Sequence, residues 1–203
     1  MKATQMFNCA AIVLAAGMST RMGDTNKLLI EIDGTPMIRR TVMTALATCD
    51  APVTVVTGHQ SDLIKAALSG LPVTFVFNPN YAKGQKTSVA CGLNASPEAE
   101  NTLVVLGDQP CLTPQHLSWL LAQHNAAKIT IPICGENRGN PIVVPHALMP
   151  RLLADKRNPG CYMFTRQNPD LVKFVETDRH AFFQDIDTPE DLDNLTQQEE
   201  LTP

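Results

Sequence analysis

The sequence predicts an α/β protein of three layers, with helices on both faces of a mostly parallel sheet, and three observations predict it. Short apolar runs rich in β-branched residues recur along the chain. Amphipathic helical stripes separate the early runs, and the later runs follow one another with little helix between them. The first run, residues 10–15, reads as a strand buried on both faces and ends at Gly17. Similar runs stand at 53–57, 73–77, 102–106, 129–133, 142–144, 172–175 and 182–186. Ile38, Val42 and Leu46, four apart, form one helical stripe. Thr35-Pro36, Thr113-Pro114 and Thr188-Pro189 each place a capping hydroxyl before a proline at the first helical position, and predict three helix starts. The crowding of runs between 129 and 144 predicts an antiparallel or edge strand in the second half of the sheet.

Composition narrows the function. With 16 Lys plus Arg against 20 Asp plus Glu in 203 residues, the formal net charge is −4, which argues against a nucleic-acid partner. At 44% apolar and 18% charged residues the chain can bury a sizeable core, expected as a single domain over 1–203 with its core at about 8–195. The last residues, 196–203, are polar and expected to fray. The six cysteines form no C-x-x-C pair and read as small apolar core residues of a reducing compartment. No apolar run approaches the ~20 residues needed to cross a bilayer, so a cytoplasmic protein with no membrane partner is expected.

The segment Leu14-Ala15-Ala16-Gly17-Met18-Ser19-Thr20-Arg21-Met22-Gly23, followed by Lys27, carries the most chemistry. Small residues after a buried strand let backbone N–H groups approach phosphate oxygens, and Arg21 and Lys27 supply positive charge. Gly17 and Gly23 do not fit G-x-x-x-x-G-K-[ST], and no G-x-G-x-x-G is present. The alternative is a tight strand-to-helix turn with two solvated cations.

Gly107-Asp108-Gln109-Pro110 places a carboxylate just beyond a buried strand, at the sheet edge where α/β proteins bind ligands. Asp185, Asp187, Glu190 and Asp191 gather around a later strand end and helix cap. Two hard oxygen donors from neighbouring strand ends suit Mg²⁺, which takes one or two carboxylates and completes its shell with water and phosphate. Turn formation at Asp108, and capping at Asp187 and Glu190, are the structural alternatives.

Three further segments are candidates. Asn78 to Ser88, containing Gly84, is a turn followed by a helix start with hydroxyls and lysines where an anion could rest. Arg138-Gly139-Asn140-Pro141 could equally be an ordinary turn before a strand. Gly58-His59-Gln60 follows a strand end, and His59 alone reads as a helix-entry histidine. The remaining histidines lack zinc-ligand spacing, and Trp119, among Leu117, Leu120 and Leu121, reads as core.

Together these strings resemble the molybdenum cofactor nucleotidyltransferases of the MobA-like NTP transferase family. The loop is similar to L-A-[AG]-G-x-S-x-R-M-G-x-x-K, and 107–110 to G-D-x-P. Residues 185–192 are similar to D-[IV]-D-T-P-E-D-L, 78–88 to N-x-x-[WY]-x-x-G-x-x-x-S, and 138–141 to R-G-[HN]-P. The resemblance runs from Ala10 to Leu195 and implies a Rossmann-like fold of the nucleotide-diphospho-sugar transferase type. It implies that Leu14, Ala15, Ala16, Gly17, Ser19, Arg21, Lys27, Gly58, Asn78 and Ser88 bind nucleotide. Gly84, Gln109, Arg138, Gly139, Asn140 and Pro141 would bind the acceptor, Asp108 and Asp187 would hold Mg²⁺, and Lys27, Arg21 and Asp108 would carry catalysis. Ala-Ala-Gly in the loop and Gly-Asp-Gln-Pro look most like the cytidylyltransferases, which join CMP from CTP to the phosphate of molybdopterin. GTP, or another small phosphorylated acceptor, is the alternative within this chemistry. The resemblance further implies a molybdoenzyme or its maturation chaperone as a protein partner; a non-catalytic cofactor carrier or a nucleotide-sugar binder are readings from other classes. Where many relatives have G-x-x-G-A-R, this chain has Asn158-Pro159-Gly160-Cys161-Tyr162-Met163, which leaves the acceptor side open.

Overall fold

The computed structural model describes residues 7–19, 26–154, 160–188 and 190–192. Strand β1 (Cys9–Ala15) lies at the centre of the sheet because its short, wholly apolar sequence leaves room for packing on both faces. Its side chains alternate with the period of a strand. Cys9, Ala11, Val13 and Ala15 join one core cluster, while Ile12 and Leu14 join the other. Each cluster is closed by its own helices, which makes the three layers.

The chain continues through β2 (Glu31–Ile32), β3 (Thr35–Pro36), α1 (Met37–Leu46), β4 (Val53–Thr57), α2 (Ser61–Ala67) and β5 (Val73–Phe77). Then come α3 (Gln85–Ala95), β6 (Asn101–Leu106), α4 (Pro114–Ala122), β7 (Ile129–Cys134), β8 (Asn137–Arg138) and β9 (Ile142–Pro145), followed by α5 (Met149–Ala154), α6 (Cys161–Gln167) and β10 (Val172–Glu176). The main sheet runs β10-β7-β9-β6-β1-β4-β5, with β8 paired to β7. Strands β1, β4, β5 and β6 are parallel, and β9 is antiparallel to β6 and β7, as the crowded run of strands predicted. Helices α1, α2 and α4 contribute Ile38, Val42, Ile64, Leu117 and Leu120 to the first cluster; α3, α5 and α6 contribute Val89, Leu93, Leu152 and Cys161 to the second. Gly92 lets α3 approach the sheet closely: a Cβ there would stand 2.8 Å from side-chain atoms of Ile12 and Val56.

Several expectations are corrected. Thr35-Pro36 does not cap α1; it forms β3, paired with β2 across Asp33-Gly34, whose φ values of 50° and 70° make the two-residue hairpin turn that Asp-Gly favours. Thr113 does cap α4, in a reciprocal box with His116. Thr188 accepts from Asp191 N at 3.2 Å in the manner of a cap, while Pro189 lies outside the described residues. Residues 182–186 form no strand. A 3₁₀ turn (His180–Phe182) leads into irregular backbone whose hydrogen bonds go singly to Asn140 and Asp108 instead of to a ladder. All six cysteines are free, but only Cys9, Cys49 and Cys161 are buried, and Cys134 is exposed. Trp119 packs against the first core cluster as expected, while its partly exposed ring also carries the Arg179 guanidinium at 4.2 Å. Among the described residues no helix is long and apolar enough to cross a membrane.

Candidate active site

Sheet register brings the site together. Leu14 of β1 pairs with Leu106 of β6, so the loops that leave these strands emerge side by side. Gly107 N donates to Leu14 O at 3.1 Å, and a Cβ on Gly107 would lie 2.7 Å from that oxygen, so the turn into Asp108 requires glycine. The segment carrying Asp185 and Asp187 is tied to the same point, since Ile186, fully buried, donates its N–H to Asp108 O at 2.9 Å. Asp191 then holds that segment by accepting from Asp187 N, Thr188 N and Thr188 Oγ1, and the Thr188 hydrogen bonds keep its carboxyl below the usual range.

Lys27 joins the parts. It lies in a 3₁₀ turn (Lys27–Leu29) capped by buried Asn26, whose side chain accepts from Leu28 N. Its backbone N–H donates to Ser19 Oγ at 3.3 Å, and Ser19 itself has φ 50° in the small-residue loop. The Lys27 ammonium stands 2.6 Å from Asp108 Oδ2 and 2.7 Å from Asp187 Oδ1. Burial would lower the Lys27 pKa, but the charges and hydrogen bonds of Asp108 and then Asp187 outweigh it, and the pKa is raised. The Asp185 pKa is raised too, which for a carboxylate disfavours the charged form: burial first, then the Asp108 and Asp187 charges, push it up to about 6, against a hydrogen bond from Gln109 and the charge of Lys27.

These groups line one cavity of about 400 Å³ together with Leu14, Ala16, Gly17, Met18, Ser19, Tyr81, Ala82, Gly84, Gln85 and Ser88. A second cavity of about 420 Å³ adjoins it and shares Gln85 and Leu106. Arg138, Gly139 and Asn140 line the second cavity, with Lys86, Glu136, Tyr162, Thr165 and Arg166.

Of the residues expected to touch nucleotide, Leu14, Ala16, Gly17, Ser19, Lys27 and Ser88 line the first cavity. Ala15, Gly58 and Asn78 do not. Ala15 is buried and faces the first core cluster. Gly58 makes room for neighbours, since a Cβ there would come within 2.6 Å of Tyr81 and 2.9 Å of Ala16. Asn78, 2% exposed, donates to Thr87 Oγ1 and Ser88 Oγ and so sets the start of α3. Of the residues expected at the acceptor, Gly84 lines the first cavity instead of the second, while Gln109 is wholly buried and lines neither. Gln109 instead donates to Phe182 O and hydrogen-bonds Asp185. Pro141 lies after a cis bond outside both linings. Arg21 lies outside the described residues. Sequence reasoning missed Tyr81, Gln85 and Asp185 as lining residues, although all three stand inside the quoted strings.

The paired carboxylates fit a divalent cation. Asp108 Oδ1 is buried and has no hydrogen-bond partner among the described residues, and the donors are hard oxygens. No group of three His, Cys, Asp or Glu is gathered for a metal among the described residues, so two carboxylates would leave the remaining positions to water and phosphate oxygens.

The sequence profile of the MobA-like NTP transferase domain matches residues 11–172. The chain belongs to that family. It is 28% identical over 203 residues to the molybdenum cofactor cytidylyltransferase of Escherichia coli strain K12, covering 94% of this chain and 96% of that one. It is 31% identical over 121 residues to a probable molybdenum cofactor guanylyltransferase of Natronomonas pharaonis, covering 60% and 59%. A protein named nicotine blue oxidoreductase from Paenarthrobacter nicotinovorans is 27% identical over 192 residues, covering 91% and 94%. The chain spans only 24% of the bifunctional protein GlmU of Halorhodospira halophila, which it also matches. Among solved structures, a nucleotidyl transferase from Methanothermobacter thermautotroptrophicus superposes with a TM-score of 0.82 at 24% identity, covering 96% of this chain and 99% of that one. The fold is therefore the one this nucleotidyl transferase has, and the family is that of the MobA-like NTP transferase domain.

Proposed function

We propose that this MobA-like chain transfers CMP from CTP to the phosphate of a molybdopterin-type acceptor and releases pyrophosphate. The observation that carries the reading is the Lys27 ammonium held between Asp108 and Asp187 at the foot of the small-residue loop, in a cavity that shares Gln85 and Leu106 with a second one. A nucleotide triphosphate and a phosphorylated acceptor would then meet where Gln85 and Leu106 are shared. The preference for CTP rests on the Ala15-Ala16-Gly17 and Gly107-Asp108-Gln109-Pro110 strings and on a relative named as a cytidylyltransferase, 96% of whose length is matched.

The chemistry asks the protein mainly for position and charge. An acceptor phosphate oxygen attacks the α-phosphorus in line as the bond to pyrophosphate breaks, so two anions must be brought together. One like-charged pair about 4 Å apart costs roughly 4 kcal/mol at an effective dielectric of 20. Loop N–H groups around Gly17 and the ammonium of Lys27 would receive the leaving pyrophosphate, and Ser88 would hydrogen-bond the nucleotide. Asp108 and Asp187 would hold Mg²⁺, which supplies Lewis-acid neutralisation of phosphate oxygens. Asp191 and Gln109 orient the carboxylates from behind. No protein nucleophile is required.

The test is the mass of the product formed from molybdopterin, each nucleoside triphosphate in turn and Mg²⁺. A gain equal to CMP supports the proposal; a gain equal to GMP moves the chain to the guanylyl reaction, and no gain with any triphosphate refutes the acceptor. Association with a molybdoenzyme or its chaperone is the partner this reaction calls for.

A further inference from the structure

The proposed reaction gives the Lys27 ammonium to the leaving pyrophosphate and the Asp108 and Asp187 carboxylates to a divalent cation, yet the structure joins these groups to one another. The ammonium lies 2.6 Å from Asp108 Oδ2 and 2.7 Å from Asp187 Oδ1, the contacts of a hydrogen-bonded ion pair made twice. A cation about 2.1 Å from an oxygen of each carboxylate would stand within a few ångströms of that ammonium, whichever oxygens it took. The Lys27 side chain is only 13% exposed, so water screens the repulsion between the two positive charges weakly. The two cations therefore compete for one pair of carboxylates.

Lys27 has a second place to go. Its backbone is pinned, by the N–H bond to Ser19 Oγ and by the Asn26 cap of its turn, but its four-carbon stem turns freely about its bonds. The stem starts at the small-residue loop and ends on the carboxylates, and Gly17, Ser19, Lys27, Asp108 and Asp187 line one cavity. A triphosphate seated on that loop offers the ammonium oxygens of its own. The third carboxylate of the lining, Asp185, belongs to the same acidic cluster and gives the ammonium no site away from the incoming cation.

The geometry points to Lys27 as a resident counter-ion of the carboxylate pair, which makes the binding of a divalent cation conditional on a triphosphate: phosphate oxygens on the loop draw the ammonium off Asp108 and Asp187, and the cation takes its place. This rests on the proposed reading of Asp108 and Asp187 as the cation's ligands and adds the condition under which they accept it. The probe is Mn²⁺, whose free fraction is read by electron paramagnetic resonance against the full chain, with no turnover. Wild type is expected to bind Mn²⁺ alone only at millimolar concentration, and Lys27→Met at least about tenfold more tightly, because the competing charge is gone. Lys27→Arg keeps the charge and should bind as weakly as wild type, and adding Asp108→Asn to Lys27→Met should abolish the tightened site. Thermal unfolding reads the condition itself. In wild type, Mn²⁺ and CTP together should raise Tm by more than the sum of their separate shifts, whereas in Lys27→Met Mn²⁺ alone should give most of the combined shift. The wild-type melts test the inference even where a variant folds poorly. Additive wild-type shifts, equal Mn²⁺ affinity in wild type and Lys27→Met, or Lys27→Arg binding as tightly as Lys27→Met would each overturn the inference and leave the metal assignment standing. Mn²⁺ bound by neither wild type nor Lys27→Met, with or without CTP, would overturn the metal assignment itself.

Discussion

Replacing Lys27 by Met keeps an unbranched side chain of similar length and removes the charge between Asp108 and Asp187. The Lys27, Asp108 and Asp187 side chains are 13%, 19% and 30% exposed, so the three are largely shielded from water. Removing one partner of a buried pair costs about 3–5 kcal/mol because the other charge is left behind. Residual solvent contact at Asp187 brings the expectation to about 2–4 kcal/mol. For a chain of this size that is a fall in Tm of about 5–12 °C at pH 8 without divalent cations. The raised Lys27 pKa means that its stabilising charge is fully present below the ordinary 10.5 and is lost only at higher pH, so wild type keeps the contribution throughout pH 5–8. In the variant, Asp185 loses a charge that holds it down from above its value of about 6, so it protonates more readily and the deficit should narrow toward pH 5. Thermal unfolding at pH 8 and pH 5, each with and without millimolar Mg²⁺, reads both effects, and Mg²⁺ should recover part of the loss at pH 8. A Lys27→Met protein that unfolds within about 1 °C of wild type at pH 8 would show that the ammonium does not neutralise this cluster.

Other perturbations separate the roles of neighbouring groups. Asp108→Asn should abolish nucleotidyl transfer, measured as pyrophosphate release with CTP, while the far-ultraviolet circular dichroism stays that of wild type; unchanged turnover removes Asp108 from the chemistry. Because the Asp185 pKa is raised above the ordinary 3.8 to about 6, its ionisation costs the folded state more than the unfolded one. Stability is thus lost as pH rises across that interval, and Asp185→Asn should melt higher than wild type at pH 8 and converge with it near pH 4. Gly92→Val forces a branched side chain into atoms already 2.8 Å from a Cβ and should cost about 1–3 kcal/mol in urea unfolding. Thr113→Ala, which opens the capping box of α4, should cost about 1 kcal/mol in the same assay without affecting transfer.

The elements that could be read from the sequence are those whose local chemistry has no competitor. Strand β1 is apolar at every position, so no register other than a doubly buried one is open to it. Thr113-Pro114 begins a helix because the threonine hydroxyl and His116 close a reciprocal capping box around the first turn. Thr35-Pro36 carries the same dipeptide, but Asp33-Gly34 two residues earlier folds the chain back on itself, and hairpin pairing claims the threonine before α1 can begin. Residues 182–186 are apolar for another reason than a strand: Phe182 and Ile186 fill the first core cluster while their backbone bonds brace Asn140 and Asp108. Apolar content alone cannot distinguish a ladder from a brace.

The same distinction orders the site. A motif fixes which residues must be present and leaves open whether each one touches the ligand or holds up one that does. Lys27, Asp108 and Asp187 are far apart in the chain and meet within hydrogen-bond distance, because Leu14–Leu106 register and the Ile186–Asp108 hydrogen bond bring their three segments to one sheet edge. Gly58, Asn78 and Gln109 belong to the same strings but act from behind the cavity wall, where a glycine admits Tyr81, a buried amide sets Ser88, and another bonds Asp185. Their substitution should therefore alter geometry before affinity, as a lowered rate at saturating nucleotide, whereas substitution of Ser88 should first raise the nucleotide KM. A Gly58→Ala variant that raised KM alone, with its rate at saturation intact, would move Gly58 from the supporting wall to the nucleotide itself.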